Sequence, residues 1–220
     1  MAPNPPVTAA RVKPLLRGVS HQIAAAIATP AVFVLAAGTT GVARTAATVY
    51  GASLVTLLLV STCYHRPVWS LRARTLIGRL DHAAIFVLIA GTYTPFCLLM
   101  GDGTGTTLLA AAWGFATAGI LMTVFWDEAP KPLRAAVYVA FGWMIVPVLS
   151  DVYAAVGPRP FALLLAGGAL YTTGAVIYAL RRPDPVPHVF GFHEIFHLFV
   201  VAAAVCHFLA VRQAVTALSA

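Results

Sequence analysis

The chain has 220 residues, 60% of them Ala, Val, Ile, Leu, Met, Phe, Trp, Tyr or Cys and only 10% Asp, Glu, Lys or Arg. A soluble domain carries about 25% charge and a disordered chain has low hydrophobicity, so a mean hydropathy of +0.86 excludes both and points to a surface that faces lipid. The formal charge of +7 would suit nucleic acid on a soluble protein; on a membrane chain it is first a topology signal.

Residues 1–18 are basic and Pro-rich and read as a cytoplasmic tail; residues 19–220 read as the membrane domain. A helix needs about 20 apolar residues at 1.5 Å each to cross the hydrocarbon. Seven runs qualify in chain order: 19–38, 45–65, 80–100, 105–126, 135–155, 161–180 and 193–211, the fifth carrying Asp151 near its end. Lipid cannot satisfy backbone amides, so runs this long are helices. The short alternation of barrel strands is absent. The first run is a span rather than a cleaved leader, because its basic flank is long and six more spans follow. Pro30, Pro95 and Pro147 are expected to kink spans one, three and five, and Gly167, Gly168 and Gly174 to let span six pack closely. Cys63, Cys97 and Cys206 form no CxxC pair and read as buried, unbridged thiols. The fold class is an all-α seven-transmembrane helix bundle.

The Lys and Arg residues orient it. Eleven lie in the tail and in the second, fourth and sixth connections: Arg11, Lys13, Arg17, Arg66, Arg72, Arg74, Arg79, Lys131, Arg134, Arg181 and Arg182. Three, Arg44, Arg159 and Arg212, lie on the other side. The N-terminus is therefore expected in the cytoplasm and the C-terminus outside, with little charge left to support nucleic-acid binding. A multi-pass protein of the plasma membrane, in a bacterium the inner membrane, follows.

Ionisable groups inside spans cost about 2.5–3.5 kcal/mol each on insertion scales, so each asks for a reason. Ser61, His65, Asp81, His193 and His197 all fall at the expected cytoplasmic ends of spans two, three and seven. In Ser61-Thr62-Cys63-Tyr64-His65 and His193-Glu194-Ile195-Phe196-His197, residues four apart share a helix face. A His-x3-His pair is the geometry metal-binding helices use, and His65 on a facing helix supplies a third nitrogen. Three imidazoles with an open fourth position suit a catalytic zinc, with Asp81 beside it and Ser61 one turn deeper. The same side chains also suit hydrogen-bonded packing. His21, His82 and His207 read as packing residues, and Glu194 as a carboxylate at a helix N-terminus.

Ser-x3-His closing span two, Arg79-Leu80-Asp81-His82 opening span three and Phe190-Gly191-Phe192-His193-Glu194-Ile195-Phe196-His197 opening span seven resemble the hemolysin III family. That family groups with the progestin and adipoQ receptors, including the adiponectin receptors, and more distantly with alkaline ceramidases. The resemblance implies a zinc ion held by His65, His193 and His197, with Asp81 reaching it through a water and Ser61 nearby. In span one, Arg17-Gly18-Val19 stands where members often carry polar partners before a Thr-His pair, here Ser20-His21. Three functions follow as expectations. The first is zinc-dependent hydrolysis of a lipid amide or ester, with Asp81 and Ser61 as catalytic residues and membrane lipids as partners. The second is a receptor or sensor with structural zinc. The third is a cytolytic, pore-forming protein.

Overall fold

A computed structural model describes residues 13–101, 103–126 and 129–219. Residues 1–12 of the basic tail, Arg11 among them, lie outside the described residues. The described chain folds into α1 (Val19–Ala37), α2 (Gly41–His65), α3 (Leu71–Met100), α4 (Gly103–Phe125), α5 (Lys131–Gly142), α6 (Leu149–Val156), α7 (Pro158–Leu180) and α8 (Phe192–Leu218), with no strand among the described residues. Seven stretches are long and apolar enough to cross a membrane, because α5, a 3₁₀ turn at Val146–Val148 and α6 make up one span, Pro132–Val156. Ile27, Phe33, Phe115, Leu121, Val176 and Val205 point outward and are exposed. An apolar exterior of this extent belongs in lipid, and the chain is an all-α, seven-span membrane protein.

Neighbours in sequence pack as neighbours in space: α1 on α2, α2 on α3, α3 on α4 and α7 on α8. The last helix closes the bundle, since α8 also touches α1, α2 and α3. The α7–α8 approach depends on Gly167, where a Cβ would overlap the His207 imidazole. His207 Nε2 in turn donates to the Leu164 carbonyl across the same seam (3.2 Å), the packing role its position suggests.

Two boundaries differ from the hydropathy reading. Helix α3 begins at Leu71, nine residues before the apolar run, with the Ser70 hydroxyl accepting from Ala73 N–H (3.4 Å). Arg72, Arg74 and Arg79 are therefore helical; arginine is a good helix former, and the helix outlasts the hydrocarbon. Cys63 is exposed rather than buried, near the end of α2, while Cys97 is buried and all three thiols are free.

The proline positions separate in effect. Helices α1 and α3 continue through Pro30 and Pro95, whereas Pro147 sits in the 3₁₀ turn that splits the fifth span. A break in lipid needs other partners for its freed backbone groups. The buried Tyr93 hydroxyl supplies them, donating to the Gly142 carbonyl (2.9 Å) and accepting from Ile145 N–H (3.0 Å). Tyr93→Phe is expected to cost about 1–3 kcal/mol by stranding both groups, read as a lowered unfolding midpoint in detergent.

Candidate metal centre

The site forms where three helix ends, the start of α1, the end of α2 and the start of α8, meet the first third of α3. Antiparallel packing of α1 on α2 brings Gly18 against His65. Gly18 has φ +79°, and a Cβ there would lie 2.7 Å from His65 Cβ. Only glycine takes this conformation freely while letting the tail cross the site so closely.

His65, His193 and His197 each offer a ligand atom, and these atoms all lie within 4.8 Å of one another. His65 and His197 are buried and His193 is half-buried. His65 Nε2 and His193 Nε2 are 3.3 Å apart. Two nitrogens bound tetrahedrally at about 2.0–2.1 Å sit about 3.3–3.4 Å apart, so this spacing fits a shared ion. His197 is 2% exposed, and its Nδ1 has no hydrogen-bond partner among the described residues. An orphaned buried nitrogen in a polar cluster calls for an ion or a water. Three imidazoles with no carboxylate between them suit a transition-metal ion such as zinc, copper, iron or nickel. The Asp81 carboxylate faces the group, with Oδ2 3.8 Å from His65 Nε2. That gap is too long for a direct hydrogen bond.

Ser61, His65, Asp81, His193 and His197, singled out from five positions in sequence, are thus brought to one place. His21, read as a separate packing residue, joins them. Its ring stacks on His197 with centroids 3.8 Å apart and planes 3° from parallel, and its Nδ1 lies 2.8 Å from Ser61 Oγ. Its depth was the available signal: His21 sits in the first turn of α1, as His193 does in α8.

Glu194 behaves as a helix-terminal carboxylate rather than a ligand. Oε2 accepts from Gly191 N–H (2.8 Å), and Oε1 pairs with the Arg17 guanidinium. This pair ties the tail to α8 beside the histidines, and Leu15 and Leu16 N–H groups reinforce it by donating to the His188 and Val189 carbonyls (3.0 and 3.1 Å). Glu194 is only 3% exposed, so losing its partner strands a buried charge. Arg17→Met is expected to cost about 3–5 kcal/mol. Arg17→Met combined with Glu194→Gln should recover much of that loss, as a thermal-unfolding double-mutant cycle would show.

Two cavities meet at the cluster. An inner one of about 180 Å³ is walled largely by apolar side chains, such as Leu57, Ile85, Leu88 and Val200, and ends on Ser61, His65, Asp81, His193 and His197. An outer one of about 1050 Å³ reaches His65, Asp81 and His193 from the basic end. The arrangement can hold a metal ion, bring an apolar chain to it and admit polar groups from the surface.

Residues 9–208 match the family model of haemolysin-III related proteins. The chain is similar to Hemolysin-3 of Bacillus cereus, at 35% identity over 202 residues that cover 90% of this chain and 89% of the relative. It is also similar to a Hemolysin-3 homolog of Bacillus subtilis, at 35% identity over 165 residues and 74% of each. A more distant likeness, 27% over 155 residues, covers 63% of this chain and 35% of an adiponectin receptor protein of Drosophila melanogaster. The chain belongs to the haemolysin-III related family and is a multi-pass plasma-membrane protein, with adiponectin-receptor-like proteins among its more distant relatives.

Proposed function

We propose that this protein is a zinc-dependent hydrolase of a lipid amide or ester, working at the cytoplasmic face of a bacterial inner membrane. The observation that carries the reading is the convergence of three imidazoles, one with an orphaned nitrogen, on one end of a largely apolar cavity. Zinc held by His65, His193 and His197 would supply Lewis-acid polarisation of an acyl carbonyl and acidify a water.

The protein's own groups do the rest. Leu57, Ile85, Leu88 and Val200 hold an acyl chain and exclude bulk water. Asp81 takes a proton from the attacking water and returns it to the leaving nitrogen or oxygen. The water oxygen bonds to the acyl carbon, the C–N or C–O bond breaks, and a fatty acid and an amine or alcohol result. Ser61, fixed by the His21 imidazole at 2.8 Å, donates to the oxygen on which negative charge develops.

Incubating the purified, zinc-loaded full chain with ceramide and diacyl phospholipid micelles tests this by mass spectrometry. Fatty acid should appear and should stop on chelation. Absence of release from any acyl lipid, with zinc bound, would count against hydrolysis.

The receptor reading draws on the likeness to the Drosophila adiponectin receptor protein. It is favoured instead if Asp81→Asn leaves a ligand-dependent cytoplasmic response intact. The cytolytic reading draws on the Hemolysin-3 names. It needs a polar stripe through several spans, yet α4 contains no ionisable residue at all.

A further inference from the structure

The outer cavity carries cations that the hydrolytic chemistry does not use. Lys13 from the tail, Arg74 from the start of α3, Arg134 from α5 and Arg181 at the end of α7 all line it, together with Arg17. Arg17 is neutralised by Glu194. Among the described residues no carboxylate lies within ion-pair distance of the other four. The acids of the cavity are committed elsewhere: Asp184 Oδ1 accepts from Phe192 N–H (3.1 Å), and Asp81 faces His65. Partial burial, and then the charges of Arg66, Arg17 and Arg74, pull the Lys13 ammonium below its ordinary pKa, as expected where like charges gather without an anion.

Loop charge that only set topology could sit anywhere on that side of the membrane. Arg181 argues for more. It is the one non-glycine residue with positive φ among the described residues, at φ 55° and ψ 35°. Glycine usually fills this place after a helix, because a side chain resists the left-handed conformation. Arg134 gives the continuity, because it lines both cavities and places a guanidinium nitrogen 3.4 Å from His82 Nδ1, next to Asp81.

We infer that Lys13, Arg74, Arg134 and Arg181 form a binding site for the phosphate of a lipid headgroup, whose acyl chain enters the inner cavity. The inference extends the hydrolase reading, since it makes a phosphate-bearing lipid the substrate class. Guanidinium groups suit it, because they bind phosphate oxygens in pairs.

The test measures binding to the purified full chain in neutral detergent, with three probes: dihexanoyl phosphatidylglycerol, dihexanoylglycerol and inorganic phosphate. The phospholipid should bind at least about tenfold more tightly than the uncharged diacylglycerol, as one or two charge-assisted contacts allow. Arg134→Gln and Arg181→Gly should each weaken the phospholipid about tenfold and leave diacylglycerol binding unchanged. Arg181→Gly should not lower the unfolding temperature, which separates ligand loss from misfolding. Metal-stripped protein should keep the preference, so a failure of hydrolysis is distinguishable from a failure of this site. Equal binding of the two lipids, or indifference to both substitutions, would overturn the site. Inorganic phosphate competing as well as the phospholipid would overturn the assignment to a lipid.

Discussion

His197→Ala is expected to weaken zinc binding about a thousandfold and lower the stability of the bundle together. The imidazole would join α8 to α2 through a metal shared with His65 and His193, and it joins α8 to α1 through its stacked contact with His21. Weakening the metal site about a thousandfold would remove about 4 kcal/mol at saturating zinc. Truncating so buried a ring adds a cavity cost of about 3–5 kcal/mol. The two parts can be separated by unfolding wild type and variant with and without zinc: the difference that persists after chelation is packing, and the remainder is metal. His193 is half-buried, so His193→Ala should show nearly the same metal loss with a smaller packing loss. Full zinc occupancy in both variants would remove these histidines from the ligand set.

Asp81→Asn should leave zinc content unchanged and reduce hydrolysis by about 10²–10⁴-fold, the range for losing a general acid–base group. That corresponds to about 2.7–5.5 kcal/mol on the barrier. The substitution is nearly isosteric and lies outside the three-imidazole set. At 3.8 Å from His65 Nε2, the carboxylate lies beside the histidines but too far to hydrogen-bond the ring directly. A zinc-loaded Asp81→Asn protein with wild-type rate would leave the carboxylate without its catalytic role. A variant without zinc would place Asp81 in metal binding instead.

The seven spans are legible in the sequence because burying polar groups in lipid is so costly that apolar runs of helical length have few other meanings. Their ends are less legible. Hydropathy marks where lipid ends, while a helix such as α3 continues for nine further residues on Ser70 capping and good helix formers. Pro147 announces the break in the fifth span, but not that Tyr93, 54 positions earlier, satisfies it. At the site, His193 and His197 are conspicuous as an i, i+4 pair, and Ser61 with His65 likewise. His21 has no such partner in sequence. Its place depends on how α1 packs against α2 and α8, a tertiary fact that periodicity cannot carry. The Arg17–Glu194 pair spans 177 residues and is invisible for the same reason.

In the proposed site, three histidines from α2 and α8 hold a zinc ion with a position left open. X-ray absorption at the zinc edge of the purified full chain tests it most directly. A first shell of three imidazole nitrogens and one light oxygen ligand is the expected result. Sulfur in that shell, or a spectrum unchanged when His65, His193 and His197 are replaced together, would contradict it.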